Sequence, residues 1–383
     1  MTARAVYVHI PFCTHICYYC DFNKFFIKDQ PVDEYIDMLN KEVDEAFKGD
    51  EDNHSSLHSI YIGGGTPTAL TTAQLRRVIK NVTRHVPDVE KNGFEFTVEV
   101  NPGEADVEKL QAMRELGVNR LSIGVQSFDD HLLKKIGRAH TAGEAERTIA
   151  LAKQAGFTNI SIDLMFGLPD QTIQLWEQSI DKAVALDVTH VSAYSLKIEK
   201  KTMFYNWYQR GQLNLLSEDT EAEMYDLLMS KLEKAGFSAY EISNFARNGY
   251  ESKHNKTYWK NEEYYGFGAG AHGYLQSVRY ANVGPLPHYI DILKKQTHAR
   301  KDSHTVTSQE QMEEEMFMGL RMREGVSDRV FKSKYGLSYM EVFGEAVEEL
   351  TENGLLEKNK EIIYLTDKGR LLGNEVFEKF IMV

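Results

Sequence analysis

The chain has 383 residues, of which 42% are hydrophobic and 26% charged, a globular mixture long enough for two or three domains with a sizeable core. These values exclude a disordered chain, a collagen-like chain and a disulfide-stapled mini-protein. The formal charge of −13, from 44 Lys and Arg against 57 Asp and Glu, argues against a general binder of nucleic acid or anionic membrane, because phosphate attracts net positive surfaces.

Residues 5–10 are apolar and β-branched and stop at Pro11, which predicts a first strand. The spacing of Tyr35, Met38, Leu39 and Val43 predicts a helix over 31–48. Strands are expected next at 57–62, 94–100, 120–125, 159–165 and 190–195. Helices are expected between them at 71–86, 107–116, 130–136, 143–155 and 172–186. Such alternation predicts a parallel α/β sheet wrapped by helices. Six strands fit a partial (β/α)6 barrel, with an open doubly wound sheet as the alternative. An amphipathic helix at 218–235 precedes a short segment at 240–243 and an aromatic- and glycine-rich tract ending near Tyr280. From Val306, three helical stretches, a short strand at 361–365 and a final helix predict a winged-helix-like α+β module. Its charge is −6, ten basic residues against sixteen acidic, so a packing or interaction role is expected and not DNA binding. The expected division is 1–243 for the barrel, 244–305 for an aromatic and glycine-rich connection, and 306–383 for the C-terminal module. No stretch approaches 18 apolar residues and the opening residues lack the apolar run of a secretion signal, so a cytoplasmic chain without a spanning helix is expected. A peripheral membrane encounter and self-association both stay open.

The only three cysteines, Cys13, Cys17 and Cys20, fall within eight residues just after the first predicted strand. An odd number with no distant partner makes no disulfide framework. C-x3-C-x2-C puts three thiolates in one loop, and thiolates are the usual ligands of iron–sulfur clusters. A 4Fe–4S cube held by three of them keeps one iron open to a small molecule. A zinc site with His9 or His15 as fourth ligand is the alternative. Gly63-Gly64-Gly65-Thr66-Pro67 follows the second predicted strand. Glycines let backbone approach a ligand without Cβ obstruction, and no Gly-Lys-Ser/Thr follows, so this is not a Walker loop. Polar residues collect at the C-terminal ends of the predicted strands, the edge where parallel α/β folds bind ligands.

The cysteine spacing, Tyr19 before the last cysteine and the glycine loop together resemble the radical S-adenosylmethionine superfamily. Tyr7-Val8-His9-Ile10-Pro11-Phe12-Cys13, Glu99-Val100-Asn101-Pro102 and Gly124-Val125-Gln126-Ser127-Phe128 resemble the oxygen-independent coproporphyrinogen III oxidase family. Ile136-Gly137-Arg138-Ala139-His140 and Asp163-Leu164-Met165-Phe166-Gly167-Leu168-Pro169 extend that resemblance, which covers nearly the whole chain. It implies a 4Fe–4S cluster on Cys13, Cys17 and Cys20. It also implies S-adenosylmethionine contacts from Tyr7, Tyr19, Gly64, Gly65, Thr66, Glu99, Gln126, Arg138 and Asp163. The chemistry agrees, since carboxylates and an amide can take hydroxyls and an ammonium while a guanidinium grips a carboxylate.

Two departures separate the chain from the oxidase. Phe22 stands where the oxidase carries a fourth cysteine, and Cys13 lies nearer the start than the oxidase's leading segment allows. Both departures, with His254-Asn255-Lys256-Thr257-Tyr258-Trp259, resemble the HemW-type haem chaperones. That branch implies bound haem and haem-requiring respiratory proteins as its recipients, without coproporphyrinogen oxidation. His254 and Tyr258 are four apart and would share one helical face, both residue types ligate haem, and Trp259 could stack on a porphyrin. His272, within Gly266-Phe267-Gly268-Ala269-Gly270-Ala271-His272-Gly273, is a further haem candidate. Two other readings stay open: oxidation of coproporphyrinogen or another radical reaction on a tetrapyrrole, and a zinc-stabilised barrel that only binds protein.

Overall fold

The computed structural model describes residues 2–48, 56–86, 89 and 93–382. β1 (Ala5–Ile10) runs into the cysteine loop, which is pinned by two short strands, β2 (Phe12–Cys13) and β3 (Phe25–Phe26). Helix-then-strand units follow: α1 (Val32–Ala46) and β4 (Ser59–Gly64), α2 (Thr72–Thr83) and β5 (Glu95–Val100), α3 (Val107–Glu115) and β6 (Arg120–Gln126). Then come α4 (Asp130–Lys135) and α5 (Ala142–Gln154) before β7 (Asn159–Phe166), and α6 (Ile173–Ala185) before β8 (His190–Ser195). The helices begin where the sequence supplies a cap. Thr71, Asp106, Asp129, Thr141 and Thr172 each accept a backbone N–H of the first turn through their side chains.

β1 and β4 to β8 lie side by side, all parallel and in chain order. A doubly wound sheet would reverse its strand order at a switch point; this one does not. Tyr61, Glu99, Ser122, Asp163 and Ser192, one from each of β4 to β8, line a single cavity, so the sheet curves around it as the expected partial barrel does. Their neighbours one position away, such as Ile60, Val98, Ile123, Ile162 and Val191, face outward into one apolar core with Leu39, Val78 and Trp176. The alternation is thus polar inside and apolar against the helices.

α7 (Met203–Gln209) and α8 (Glu218–Lys234) follow β8. The next segment holds β9 (Ser238–Ala239), β10 (Asn244–Ala246), α9 (Lys253–Trp259), β11 (Tyr264–Phe267), β12 (His272–Leu275), β13 (Val278–Asn282), α10 (Leu286–Lys295) and β14 (Arg300–Thr305). Residues 244–305 were expected to connect, but they enlarge the sheet. β11 pairs with the free edge of β1 in parallel and β10 with β8 antiparallel, giving twelve strands in the order β14-β13-β12-β11-β1-β4-β5-β6-β7-β8-β10-β9. The physical reason is the edge itself: an unpaired β1 would leave a row of amides and carbonyls without partners. Among the described residues the sheet does not close into a full barrel.

The C-terminal module has α11 (Ser308–Gly319), β15 (Val326–Ser327), α12 (Asp328–Tyr335), α13 (Tyr339–Glu352), β16 (Leu356–Asn359), β17 (Ile362–Leu365), α14 (Asp367–Leu371) and α15 (Gly373–Glu378). Three helices and a three-stranded sheet, β15-β17-β16, enclose a separate core around Phe331, Phe343, Val347 and Ile363. This is the winged-helix-like arrangement expected. Among the described residues no helix is long and apolar enough to cross a membrane.

Candidate functional site

A cavity of about 340 Å³ opens at the C-terminal ends of β4 to β8, and Cys13, Cys17 and Cys20 all line it. Backbone bonds fix the cysteine loop without help from the thiols. Phe25 N–H donates to the Pro11 carbonyl at 2.7 Å, Ile27 N–H to Cys13 at 3.0 Å, and Gly65 N–H to Ile10 at 2.9 Å. The glycine run presses against this loop. A Cβ on Gly65 would sit 2.8 Å from the Phe12 carbonyl oxygen and 2.9 Å from Cys13 Sγ, and one on Gly64, at φ 121°, would sit 2.6 Å from the His9 ring. Glycine is therefore required here by the neighbouring loop as well as by any ligand.

The thiols fit a cluster better than a single ion. Among the described residues no three His, Cys, Asp or Glu side chains converge to hold one metal ion. His9, a proposed fourth zinc ligand, has both ring nitrogens engaged: Nε2 lies 2.8 Å from the Asn23 carbonyl and Nδ1 2.9 Å from Tyr7 Oη. A carbonyl only accepts, so Nε2 carries the proton and Nδ1 accepts from Tyr7. His15 is exposed and lines the same cavity as the thiols, but it joins no compact metal-ligand group among the described residues. Cys13 Sγ accepts from Thr66 Oγ1 at 3.7 Å and Cys17 Sγ from Arg138 Nη1 at 3.4 Å. Burial pushes the Cys13 thiol up to about 12, so metal loading must displace its proton.

A polar set faces the thiols across the cavity. Tyr61 Oη donates to Glu99 Oε1 at 2.8 Å and Gly64 N–H to Oε2 at 2.9 Å. Burial raises Glu99 to about 7, with the Asp163 carboxylate pushing the same way against the Tyr61 bond. Burial likewise raises Asp163, whose Oδ1 accepts from Ser122 Oγ at 3.4 Å. Arg138 Nη2 donates to Asn101 Oδ1 at 3.0 Å and to the Gly124 carbonyl, while Asn101 Nδ2 donates to Thr66 Oγ1 at 3.2 Å. Among the described residues Arg138 Nε is enclosed without a partner. The cavity thus presents a guanidinium beside one thiol and two carboxylates opposite, a donor and acceptor set suited to a zwitterionic, hydroxylated ligand.

Tyr19, Gly64, Gly65, Thr66, Glu99, Gln126, Arg138 and Asp163 all line this cavity. Tyr7 does not; it lines an adjoining cavity of about 430 Å³ that shares Gly64 and Glu99. Sequence reasoning passed over Tyr61, Asn101, Ser122 and Ser192. Tyr61 lies two positions before Gly63 on β4, Ser122 two before Gly124 on β6, and Asn101 lies inside the quoted Glu99–Pro102 run, so alternation along the strands could have found them.

The haem candidates separate. His254 and Tyr258 share a face of α9, but that face turns inward. His254 is 1% exposed, its Nδ1 lies 3.1 Å from Ser59 Oγ and its Nε2 2.8 Å from Tyr258 Oη. Burial lowers His254 to about 3, so it stays neutral. His272 is exposed at the start of β12, and no side-chain hydrogen bond among the described residues holds it. It lines the 430 Å³ cavity with Phe22 and Tyr258. Phe22 and Tyr258 also line a chamber of about 1120 Å³ between the barrel mouth and the C-terminal module. Trp259 and Phe377 face the same chamber, and the Arg321 guanidinium lies 4.5 Å from the centre of the Trp259 ring.

Residues 7–183 match the Radical SAM superfamily and residues 306–372 the HemN C-terminal domain. The chain is 50% identical to a protein of Bacillus subtilis named heme chaperone HemW, over 99% of each chain. It is 45% identical to a heme chaperone HemW of Lactococcus lactis, over 99% of this chain and 97% of that one. The structure of coproporphyrinogen III oxidase (HemN) from Escherichia coli matches with a TM-score of 0.82, covering 99% of this chain and 90% of that one. At 22% identity that likeness concerns the fold.

Proposed function

Because the chain belongs to the HemW family of radical S-adenosylmethionine proteins, we propose that it is a haem chaperone. In this reading it binds haem in the cytoplasm and hands it to haem-requiring respiratory proteins. Cys13, Cys17 and Cys20 hold a 4Fe–4S cluster, and the cavity set from Tyr19 to Asp163 holds S-adenosylmethionine beside it, with Tyr7 reaching the same ligand from the adjoining cavity. When bound, the cluster supplies an open iron and a one-electron donor. Arg138 takes the ligand's carboxylate, while Glu99 and Asp163 take its hydroxyls and ammonium.

The observation that carries the haem reading is the meeting of two chambers at Phe22 and Tyr258. Phe22 is 63% exposed and lines both, and aromatic Tyr258, Trp259 and Phe377 continue the same wall. Such an aromatic wall suits one face of a flat ligand, and Arg321 and Arg370 on the same chamber suit carboxylates at its edge. The larger chamber exceeds the ~1,000 Å³ that ordinarily suffices for a drug-sized ligand. His272 is the ligand the geometry leaves free, with Tyr258 behind it. His254 holds α9 against β4.

Two titrations test these assignments. Haem added to the cluster-loaded chain should give a Soret band that His272→Ala shifts or weakens. His254→Ala should leave the band in place and lower thermal stability by about 1–3 kcal/mol, because it strands Ser59 and Tyr258. A band untouched by His272→Ala removes the site, and conversion of coproporphyrinogen by the reduced, S-adenosylmethionine-supplied protein overturns the chaperone reading. Glu99 sets a second test. With its carboxyl raised to about 7, it is neutral below that pH and ionised above it. S-adenosylmethionine affinity should therefore rise as pH passes upward through 7, and Glu99→Gln should flatten that profile. An identical slope in the variant would assign the dependence to another group.

A further inference from the structure

The chamber of about 1120 Å³ has two walls of opposite charge. The barrel side contributes five carboxylates and one lysine, and three of those carboxylates, Glu218, Asp219 and Glu221, stand together in the first turn of α8. The C-terminal module contributes three cations, Arg321, Lys368 and Arg370, and one carboxylate, Glu375.

Arg321 has the fewest partners of the three cations. Its side chain is 27% exposed, and no hydrogen bond among the described residues holds its guanidinium. Its ion pair is loose. Nη2 lies 3.5 Å from Oε2 of the buried Glu241, whose Oε1 already accepts from the Ser243 N–H at 2.8 Å and from Asn244 Nδ2 at 2.5 Å. The Trp259 ring lies under its face, and the N–H donors of a guanidinium lie in its own plane, so the ring leaves them free. The backbone beside it is fixed to the barrel: Met322 pairs with Glu241, and the Arg323 N–H donates to the Tyr240 carbonyl at 3.0 Å. Arg370, on α14, is better held. Its Nη2 donates to the Leu365 carbonyl at 3.4 Å and faces Asp367 at 3.3 Å. Asp367 is 97% exposed, so solvent weakens that pair and a ligand carboxylate can compete for it. Lys368 is turned to the Asn353 carbonyl at 3.2 Å.

We propose that this polarity makes the chamber selective for tetrapyrroles whose carboxylates lie on one edge: Arg321 and Arg370 take that edge, and the acidic turn of α8 excludes carboxylates from the other. The proposal rests on the haem reading given above. Haem carries its two propionates on neighbouring pyrroles, and its opposite edge is apolar. That edge turns toward Phe22 and Tyr258. Coproporphyrin carries four propionates, one on each pyrrole, so every orientation turns a carboxylate to the acidic wall. Attraction at one wall and repulsion at the other add in the difference between the two affinities.

The test titrates the full chain with haem, haem dimethyl ester and iron coproporphyrin III, each followed at the Soret band. All three carry the same iron, so axial ligation is held constant. The wild type should bind haem about 10-fold or more tightly than either of the others, the low end for a hydrogen bond to a charged group. Arg321→Ala should weaken haem binding to the level of the ester and leave the ester unchanged, whereas a loss of packing would weaken both. Arg321→Lys should recover part of the difference, because it keeps the charge beside Glu241 without the planar fork. Glu218→Gln combined with Asp219→Asn, both exposed, should tighten iron coproporphyrin III alone. Should the Arg321 variants fail to fold, Arg370→Ala should still narrow the gap between haem and its ester. Equal wild-type affinity for the three ligands, or a haem-to-ester ratio that survives Arg321→Ala, overturns the proposal and leaves haem binding standing. A wild-type chain that gives no Soret band with haem overturns the haem reading and this proposal with it.

Discussion

Replacing Cys13, Cys17 or Cys20 singly with alanine is expected to abolish the visible absorbance of the anaerobically reconstituted protein and to drop its iron from about four per chain to near zero. All three thiols line one cavity, no other cysteine exists in the chain, and no His or carboxylate among the described residues joins them in a compact ligand group. A cube with three ligands has no spare, so each loss should be all-or-none. The fold should survive each change. The loop is held by Phe25 to Pro11 and Ile27 to Cys13 through backbone atoms, which alanine keeps. Far-ultraviolet circular dichroism unchanged in all three variants, beside lost iron and sulfide, is the expected outcome. Stoichiometric zinc without labile sulfide in the wild type would return the site to the zinc reading, despite the engaged nitrogens of His9.

The parts that were legible in the sequence share one property: their signal is local. β4 to β8 alternate within six to eight residues, and α2 and α5 announce their starts with Thr71 and Thr141 capping boxes. The cysteines stand in one loop. What escaped was non-local. β11 is a four-residue strand, and its partner β1 lies about 260 positions earlier, so nothing in the Tyr264–Phe267 stretch announces the pairing. The aromatic tract therefore read as a connection and turned out to extend the sheet. His254 shows the same limit at the level of a site. Its spacing from Tyr258 correctly put both on one face of α9, but spacing does not say what the face meets, and it meets Ser59 on β4. His272 carried no periodic signal, because its position depends on α1 and the cysteine segment, both more than two hundred residues away in the chain. The glycine run was read as room for a ligand. Part of that room is taken by His9 and Phe12.

Arg138→Ala is expected to weaken S-adenosylmethionine binding by roughly 10–150-fold, the equivalent of one charged hydrogen bond of about 1.5–3 kcal/mol. Arg138 stands on the loop after α4, aimed back over β6, where its Nη2 contacts Asn101 and the Gly124 carbonyl and its Nη1 reaches Cys17 Sγ. Its enclosed Nε has no partner among the described residues. Gly124 is part of this fit, since a Cβ there would stand 2.8 Å from Arg138 Nη2. Removing the guanidinium strands Asn101 Oδ1 and with it the Asn101–Thr66 contact that leads to Cys13, so some loosening of the cysteine loop should accompany the lost affinity. Arg138→Lys separates the two effects. Lysine keeps the charge but offers no planar fork, so it should recover only part of the affinity. The measurement is the change that S-adenosylmethionine produces in the electron paramagnetic resonance spectrum of the reduced cluster, titrated in wild type, Arg138→Ala and Arg138→Lys at equal iron content. Superimposable titrations would remove Arg138 from the cofactor site and leave it as a prop for Asn101.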